Sequence, residues 1–91
     1  MYNVHYTNAF QKNVKKCKQR GYNIDLLTEV IGLLRTTGTL PAKYRAHKLN
    51  AQYHFCWECH IQPDWLLLWD QNDVELTLLF TGTGTHADIF G

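Results

Sequence analysis

The sequence predicts an α+β fold: an N-terminal strand, two helices, and an antiparallel sheet of about four strands with the helices packed on one face. Three observations predict it. Apolar residues recur at helical spacing up to Leu34, the period drops to two from Tyr53, and glycine, proline, asparagine and aspartate punctuate the stretches between. Ninety-one residues suffice for one modest hydrophobic core, so residues 1–91 are expected to form one domain.

Tyr2-Asn3-Val4-His5-Tyr6 is rich in strand formers. Thr7 or Asn8 can cap a helix that carries Phe10, Val14 and Cys17 on one side and stops near Gly21. A second helix starts at Asn23 to Asp25, with Leu26, Leu27, Val30, Ile31 and Leu34 as its core face. Gly38 and Pro41 break that periodicity, and the segment through Asn50 reads as a loop. From Tyr53, parity sorts Tyr53, Phe55, Trp57, Cys59 and Ile61 onto a core face and His54, Cys56, Glu58 and His60 onto the other. Pro63-Asp64 interrupts this strand, and Trp65 to Trp69 is a continuous apolar run short enough for a buried strand. A turn at Gln71-Asn72-Asp73 leads to a strand over Glu75 to Phe80. Thr81 to Thr85 reads as a flexible loop or a bulged strand end, and His86 to Gly91 as a short tail.

The net charge of +1 conceals a polar division. Residues 1–48 hold all nine Lys and Arg against Asp25 and Glu29, a formal +7, whereas residues 49–91 hold six carboxylates and no Lys or Arg, a formal −6. Lys12, Lys15, Lys16 and Lys18 are either the solvated face of a helix or a surface for phosphates. No run of eighteen apolar residues occurs and Met1 to His5 is not a basic lead into a hydrophobic segment, so neither a membrane nor export is expected; a cytoplasmic address follows. Three cysteines, Cys17, Cys56 and Cys59, fit reduced thiols better than a disulfide framework.

Cys56-Trp57-Glu58-Cys59-His60 matches the spacing of covalent haem attachment and of a zinc knuckle, but parity sends the two cysteines to opposite faces, so they cannot chelate one metal together. His54, Cys56 and His60 remain a weak metal alternative, and no metal or cofactor is expected. Thr81-Gly82-Thr83-Gly84-Thr85 lacks the lysine of a phosphate loop. His47, His60, Asp64 and His86 suit a different chemistry. Cleavage of RNA by its own 2′-hydroxyl needs a base, an acid and charge stabilisation, and histidine serves both proton transfers near neutral pH. A non-enzymatic module binding an acidic or nucleic-acid partner is the competing class.

Ala46-His47-Lys48-Leu49, the block Glu58-Cys59-His60-Ile61-Gln62-Pro63-Asp64-Trp65-Leu66-Leu67-Leu68, and Gly84-Thr85-His86-Ala87-Asp88-Ile89-Phe90 carry a resemblance to the YafQ toxins of the RelE superfamily. It spans nearly the whole chain, in pattern over the helical half and in specific residues over the rest. The resemblance implies a microbial RNase-like RelE fold. It also implies a metal-free endoribonuclease that cuts messenger RNA in the ribosome, leaving a 2′,3′-cyclic phosphate and a 5′-hydroxyl. A cognate antitoxin of the DinJ/RelB kind would silence it and link the pair to operator DNA.

At matching positions the resemblance implies that His47, His60, Asp64, Trp65, His86 and Phe90 are functional, with Glu58 where the family also carries an acid. Physical reasoning then makes His86 the general acid for the leaving oxygen. Asp64 and His60 activate or orient the attacking hydroxyl, and His47 stabilises phosphate charge or shares the base role. Phe90 stacks on bases or shapes the pocket; Trp65 does so or belongs to the core. The family usually carries arginine where this chain has Trp57 and Gly82. Lys43, Arg45 or Lys48 would have to supply the missing cation, or the chain is an attenuated homologue that keeps antitoxin binding and co-repression while cleaving poorly.

Overall fold

A computed structural model of the chain describes residues 1–49 and 56–91. The element order is β1 (Asn3–Tyr6), α1 (Asn8–Gln19), α2 (Ile24–Thr37), a 3-10 turn (Ala42–Tyr44), β2 (His47–Lys48), β3 (Cys56–Gln62), β4 (Trp65–Asn72), β5 (Thr77–Gly84) and α3 (His86–Phe90). Both long helices start where the capping residues direct. The Phe10 N–H donates to the Thr7 hydroxyl at 3.0 Å and the Asp25 N–H to the Asn23 side chain at 3.1 Å. Helix α2 ends at Gly38, whose left-handed φ of 72° lets its N–H reach the Leu34 carbonyl at 2.7 Å. A side chain there would also collide with the Tyr2 ring.

The sheet has five strands in the order β1-β5-β4-β3-β2 rather than about four, and it is mixed rather than antiparallel. The inner strands are antiparallel, but β1 runs parallel to β5, with Asn3 opposite Thr77 and Tyr6 opposite Phe80. Strand direction at such a pairing comes from how two helices carry the chain across the sheet, and no local pattern records it. The fifth strand, β2, is two residues long, too short to show a period within the stretch read as a loop.

Helices and sheet enclose a core of Phe10, Cys17, Leu27, Val30, Leu34, Tyr44, Cys59, Trp65, Leu67, Trp69, Leu78 and Phe80. The alternation expected of β3 holds from Cys56 onward: Cys59 is buried in this core, with Trp57 and Ile61 packed against it, and Glu58 and His60 are not part of it. Tyr53, His54 and Phe55 lie outside the described residues. Strand β4 is buried on both sides, Trp65, Leu67 and Trp69 towards the helices and Leu66 and Leu68 beside His60 and Glu58.

Thr81 to Gly84 form the second half of β5, and of the two readings the bulged strand end is the one adopted: the β4–β5 register shifts between Leu68 and Trp69. The tail is helical. Thr85 caps α3 through a capping box in which the Asp88 N–H donates to the Thr85 hydroxyl and the Thr85 N–H to the Asp88 carboxylate. Among the described residues no helix is long and apolar enough to cross a membrane.

Candidate active site

The face of β3 turned away from the helices carries Glu58 and His60, and its flanking elements bring further titratable groups beside them. Strand β2 pairs His47 with Glu58, which sets the His47 Nε2 3.4 Å from Glu58 Oε1. The same oxygen lies 3.8 Å from His60 Nε2, so one buried carboxylate, 5% exposed, stands between two imidazoles. The far nitrogen of each ring faces a backbone carbonyl: His47 Nδ1 lies 2.9 Å from the Arg45 oxygen and His60 Nδ1 3.2 Å from the Pro63 oxygen. A carbonyl only accepts, so the proton belongs on Nδ1 in both and Nε2 is left for exchange.

Asp64 sits in the β3–β4 turn and joins this group to α3. Its Oδ1 accepts from His86 Nδ1 at 2.8 Å and from the His86 backbone N–H at 3.1 Å. These two bonds, the imidazole first, hold the Asp64 carboxyl below the usual aspartate value. With Nδ1–H committed to the carboxylate, His86 presents Nε2 outward. The His86 ring centroid lies 6.0 Å from that of His60 and 6.3 Å from that of Phe90, a residue 44% exposed. Lys43 and Arg45 line a cleft of about 290 Å³ with His60, Gln62 and Pro63.

The structure therefore brings His47, Glu58, His60, Asp64, His86 and Phe90 to one side of the sheet, with Lys43 and Arg45 next to them. Two expected residues lie elsewhere. Trp65 is 1% exposed in the helix-side core, its Nε1–H bonded to the Thr83 hydroxyl at 2.9 Å and its ring edge-on to Tyr22 at 4.9 Å, so it takes the core alternative and offers no face to a base. Lys48 follows His47 on β2 and alternation turns it the other way; its ammonium lies 5.7 Å over the Trp57 ring. Trp57 stacks on Trp69 at 6.1 Å, on the helix side and away from Glu58. Cys56 and Cys59 are free thiols on opposite faces, and burial pushes the Cys59 thiol up to about 12. Among the described residues no three His, Cys, Asp or Glu side chains are placed to hold one metal ion.

Sequence reasoning missed the polar anchor of α3. The Arg20 guanidinium, at the end of α1, donates to both oxygens of Asp88, and the Lys16 ammonium stands 3.5 Å from one of them. The Thr85-x-x-Asp88 spacing was a readable capping signal. The Arg20 partner, 68 positions away, left none. Arg20 beside it and the backbone N–H of Thr85 hold the Asp88 carboxyl well below the usual range. A carboxyl depressed in the folded state adds stability above its unfolded pKa, about 3.9, which is lost as pH falls through the folded value. Asp88→Asn is therefore expected to flatten the decline of Tm between about pH 4 and pH 2, followed by circular dichroism.

Helices on one face of a mixed sheet and a histidine–carboxylate site on the other define a class of small α+β proteins equipped for proton transfer at an open surface. Within it the chain belongs to the YafQ family, bacterial toxins of type II toxin–antitoxin systems, whose family model matches residues 2–91. The mRNA interferase toxin YafQ of Escherichia coli strain B / BL21-DE3 is 35% identical over 89 residues, covering 97% of this chain and 95% of that one. The crystal structure of YafQ from E. coli BL21(DE3) superposes with a TM-score of 0.91 at 33% identity over the whole of both chains. That of the E. coli DinJ–YafQ complex gives 0.89 at 33% identity, again over both chains in full. The RelE-type α+β fold expected from the resemblance is thus the observed one, with one more strand.

Proposed function

We propose that the chain is an endoribonuclease toxin that cuts messenger RNA during translation in the cytoplasm and is neutralised by a cognate antitoxin. The observation that carries this is the separation of His60 and His86, 6.0 Å between ring centroids, with Asp64 fixing the second ring. The two imidazoles stand close enough to serve the two reacting oxygens of one phosphodiester. His60 Nε2, backed by Glu58 and with His47 beside it, takes the proton of the 2′-hydroxyl as that oxygen attacks phosphorus. His86, protonated and steadied by Asp64, gives its proton to the departing 5′-oxygen. The products are a 2′,3′-cyclic phosphate and a 5′-hydroxyl, and side chains fill every role without a metal.

Charge on the phosphate falls to Lys43 and Arg45, which line the cleft at His60. The double variant Lys43→Ala/Arg45→Gln is expected to cut about 10- to 100-fold more slowly, measured on messenger RNA in a reconstituted translation reaction. Unchanged cutting would remove these cations from the mechanism. Gly82, where the family usually has arginine, supports the second reading of an attenuated toxin that serves mainly as an antitoxin-binding co-repressor. The antitoxin reading draws on the DinJ–YafQ complex of the relative and on the exposed lysines of α1, which suit an acidic segment of the DinJ/RelB kind; operator DNA would be reached only through that complex.

The deciding experiment is the chemistry of the new ends. Translation-dependent cuts that leave cyclic phosphate, persist in chelator and vanish on adding antitoxin establish the proposal. Chelator-sensitive cuts, or 5′-phosphate ends, overturn the mechanism, and soluble protein that makes no cuts favours the attenuated reading.

A further inference from the structure

Helix α3 carries His86 yet has little of its own to hold it in place. It is five residues long and none of them is buried. A helix of that length does not persist in water without outside contacts, so the position of His86 depends on polar bonds at the start of the helix. Besides the two that His86 itself makes with Asp64, those bonds converge on Asp88. Its Oδ2 accepts from the Thr85 N–H at 2.9 Å and from Arg20 Nη1 at 2.6 Å, and its Oδ1 accepts from Arg20 Nη2 at 3.0 Å, with Lys16 Nζ at 3.5 Å. Gly84, at φ 149°, makes room for this: a Cβ there would stand 2.7 Å from Asp88 Oδ2.

We propose that Arg20 is a positioning residue for RNA cleavage, a guanidinium fork reaching from the end of α1 to Asp88 that fixes α3 with the His86 ring opposite His60. The proposal rests on the reading of His86 as general acid. Two features separate Arg20 from an ordinary surface cation. Its fork is spent on a carboxylate that is only 17% exposed, a planar two-point match that lysine cannot reproduce. That carboxylate also belongs to the capping box, two residues from His86, so motion at Arg20 reaches the imidazole through the backbone of residues 85–88. Displacing a reacting group by about 1 Å can slow a reaction of this kind about 100-fold.

The test compares wild type, Arg20→Gln, Arg20→Lys, Asp88→Asn and His86→Ala as full-length proteins in single-turnover cleavage of messenger RNA in a reconstituted translation reaction. Hydrogen exchange of the amides of residues 85–90 is measured in parallel. Arg20→Gln is expected to lower the rate at saturating RNA about 10- to 100-fold with half-saturation moved less than about twofold. Arg20→Lys should behave alike, because its charge is kept but its fork is lost. Millimolar guanidinium should restore part of the rate to Arg20→Gln and none to Asp88→Asn, and α3 amides should lose protection in both. A cation bound to RNA would give the reverse: weaker half-saturation, rescue by Arg20→Lys, and tighter binding by Asp88→Asn, which frees Arg20. That pattern overturns the proposal. So does full activity or undiminished α3 protection in Arg20→Gln beside an inactive His86→Ala, which leaves the reading of His86 standing. Equal cleavage by wild type and His86→Ala overturns that reading and the proposal with it.

Discussion

Replacing His86 by alanine is expected to slow RNA cleavage by about 10²- to 10⁴-fold, the range that a positioned general acid contributes. The expectation follows from where the ring sits. Asp64 holds Nδ1–H at 2.8 Å, which leaves Nε2 as the one proton-bearing position able to face the leaving oxygen. No other described histidine substitutes: His60 faces Glu58 and the Pro63 carbonyl, and His47 lies on the far side of Glu58. Stability should change little, since His86 is exposed and the capping bonds of α3 come from Thr85 and Asp88. The check is single-turnover cleavage beside thermal denaturation of the same preparation. A slow enzyme with an unchanged Tm supports the role; wild-type rates remove it. Asp64→Asn should fall between, because an amide oxygen can still orient Nδ1–H but cannot neutralise the imidazolium.

Trp65→Ala should have the largest effect on stability, a loss of about 3–5 kcal/mol in denaturant titration. The ring is among the largest fully buried side chains, edge-on to Tyr22 and enclosed by the helices. Removal also takes away the donor to the Thr83 hydroxyl, which accepts from Trp65 Nε1 at 2.9 Å and keeps only its own bond to the Leu66 carbonyl at 2.7 Å. Trp65→Phe separates the two roles open to this residue. It keeps most of the buried surface and is expected to cost about 1–2 kcal/mol, chiefly for the lost hydrogen bond, with cleavage at 20 °C near wild type. A stable Trp65→Phe with sharply weakened RNA binding would instead return this position to the recognition surface.

The contrast between these residues marks what could be read in advance. Helices α1 and α2 and their caps were legible because Thr7, Asn23 and the Leu26 to Leu34 spacing are local signals. So was the division of β3, since alternation depends only on parity, and parity alone separates Cys56 from Cys59. Glu58, His60 and Asp64 were found through their block, and His86 through the closing motif. Which of two aromatic neighbours meets solvent was not legible: Trp65 and Phe90 are both large rings near acidic residues, and only the register of β4 beside Thr83 buries the first. The parallel placement of β1, the two-residue β2 and the Arg20–Asp88 pair depend on contacts across long separations, which one sequence does not record.

The pairing of β1 with β5 has a consequence for how the protein comes into being. Strand β1 is made early, but its neighbour in the sheet is not, and the Thr7 N–H waits for a carbonyl 73 positions further on. On the ribosome the first strand therefore remains without its partner while the helices and the β3–β4 hairpin are made, and distant pairings of this kind are slow to form. Helix α3 is made later still, after the strand that anchors it. His86 thus joins His60 as a late event of synthesis, and a chain still being translated carries its histidines and acids without yet holding them as a nuclease.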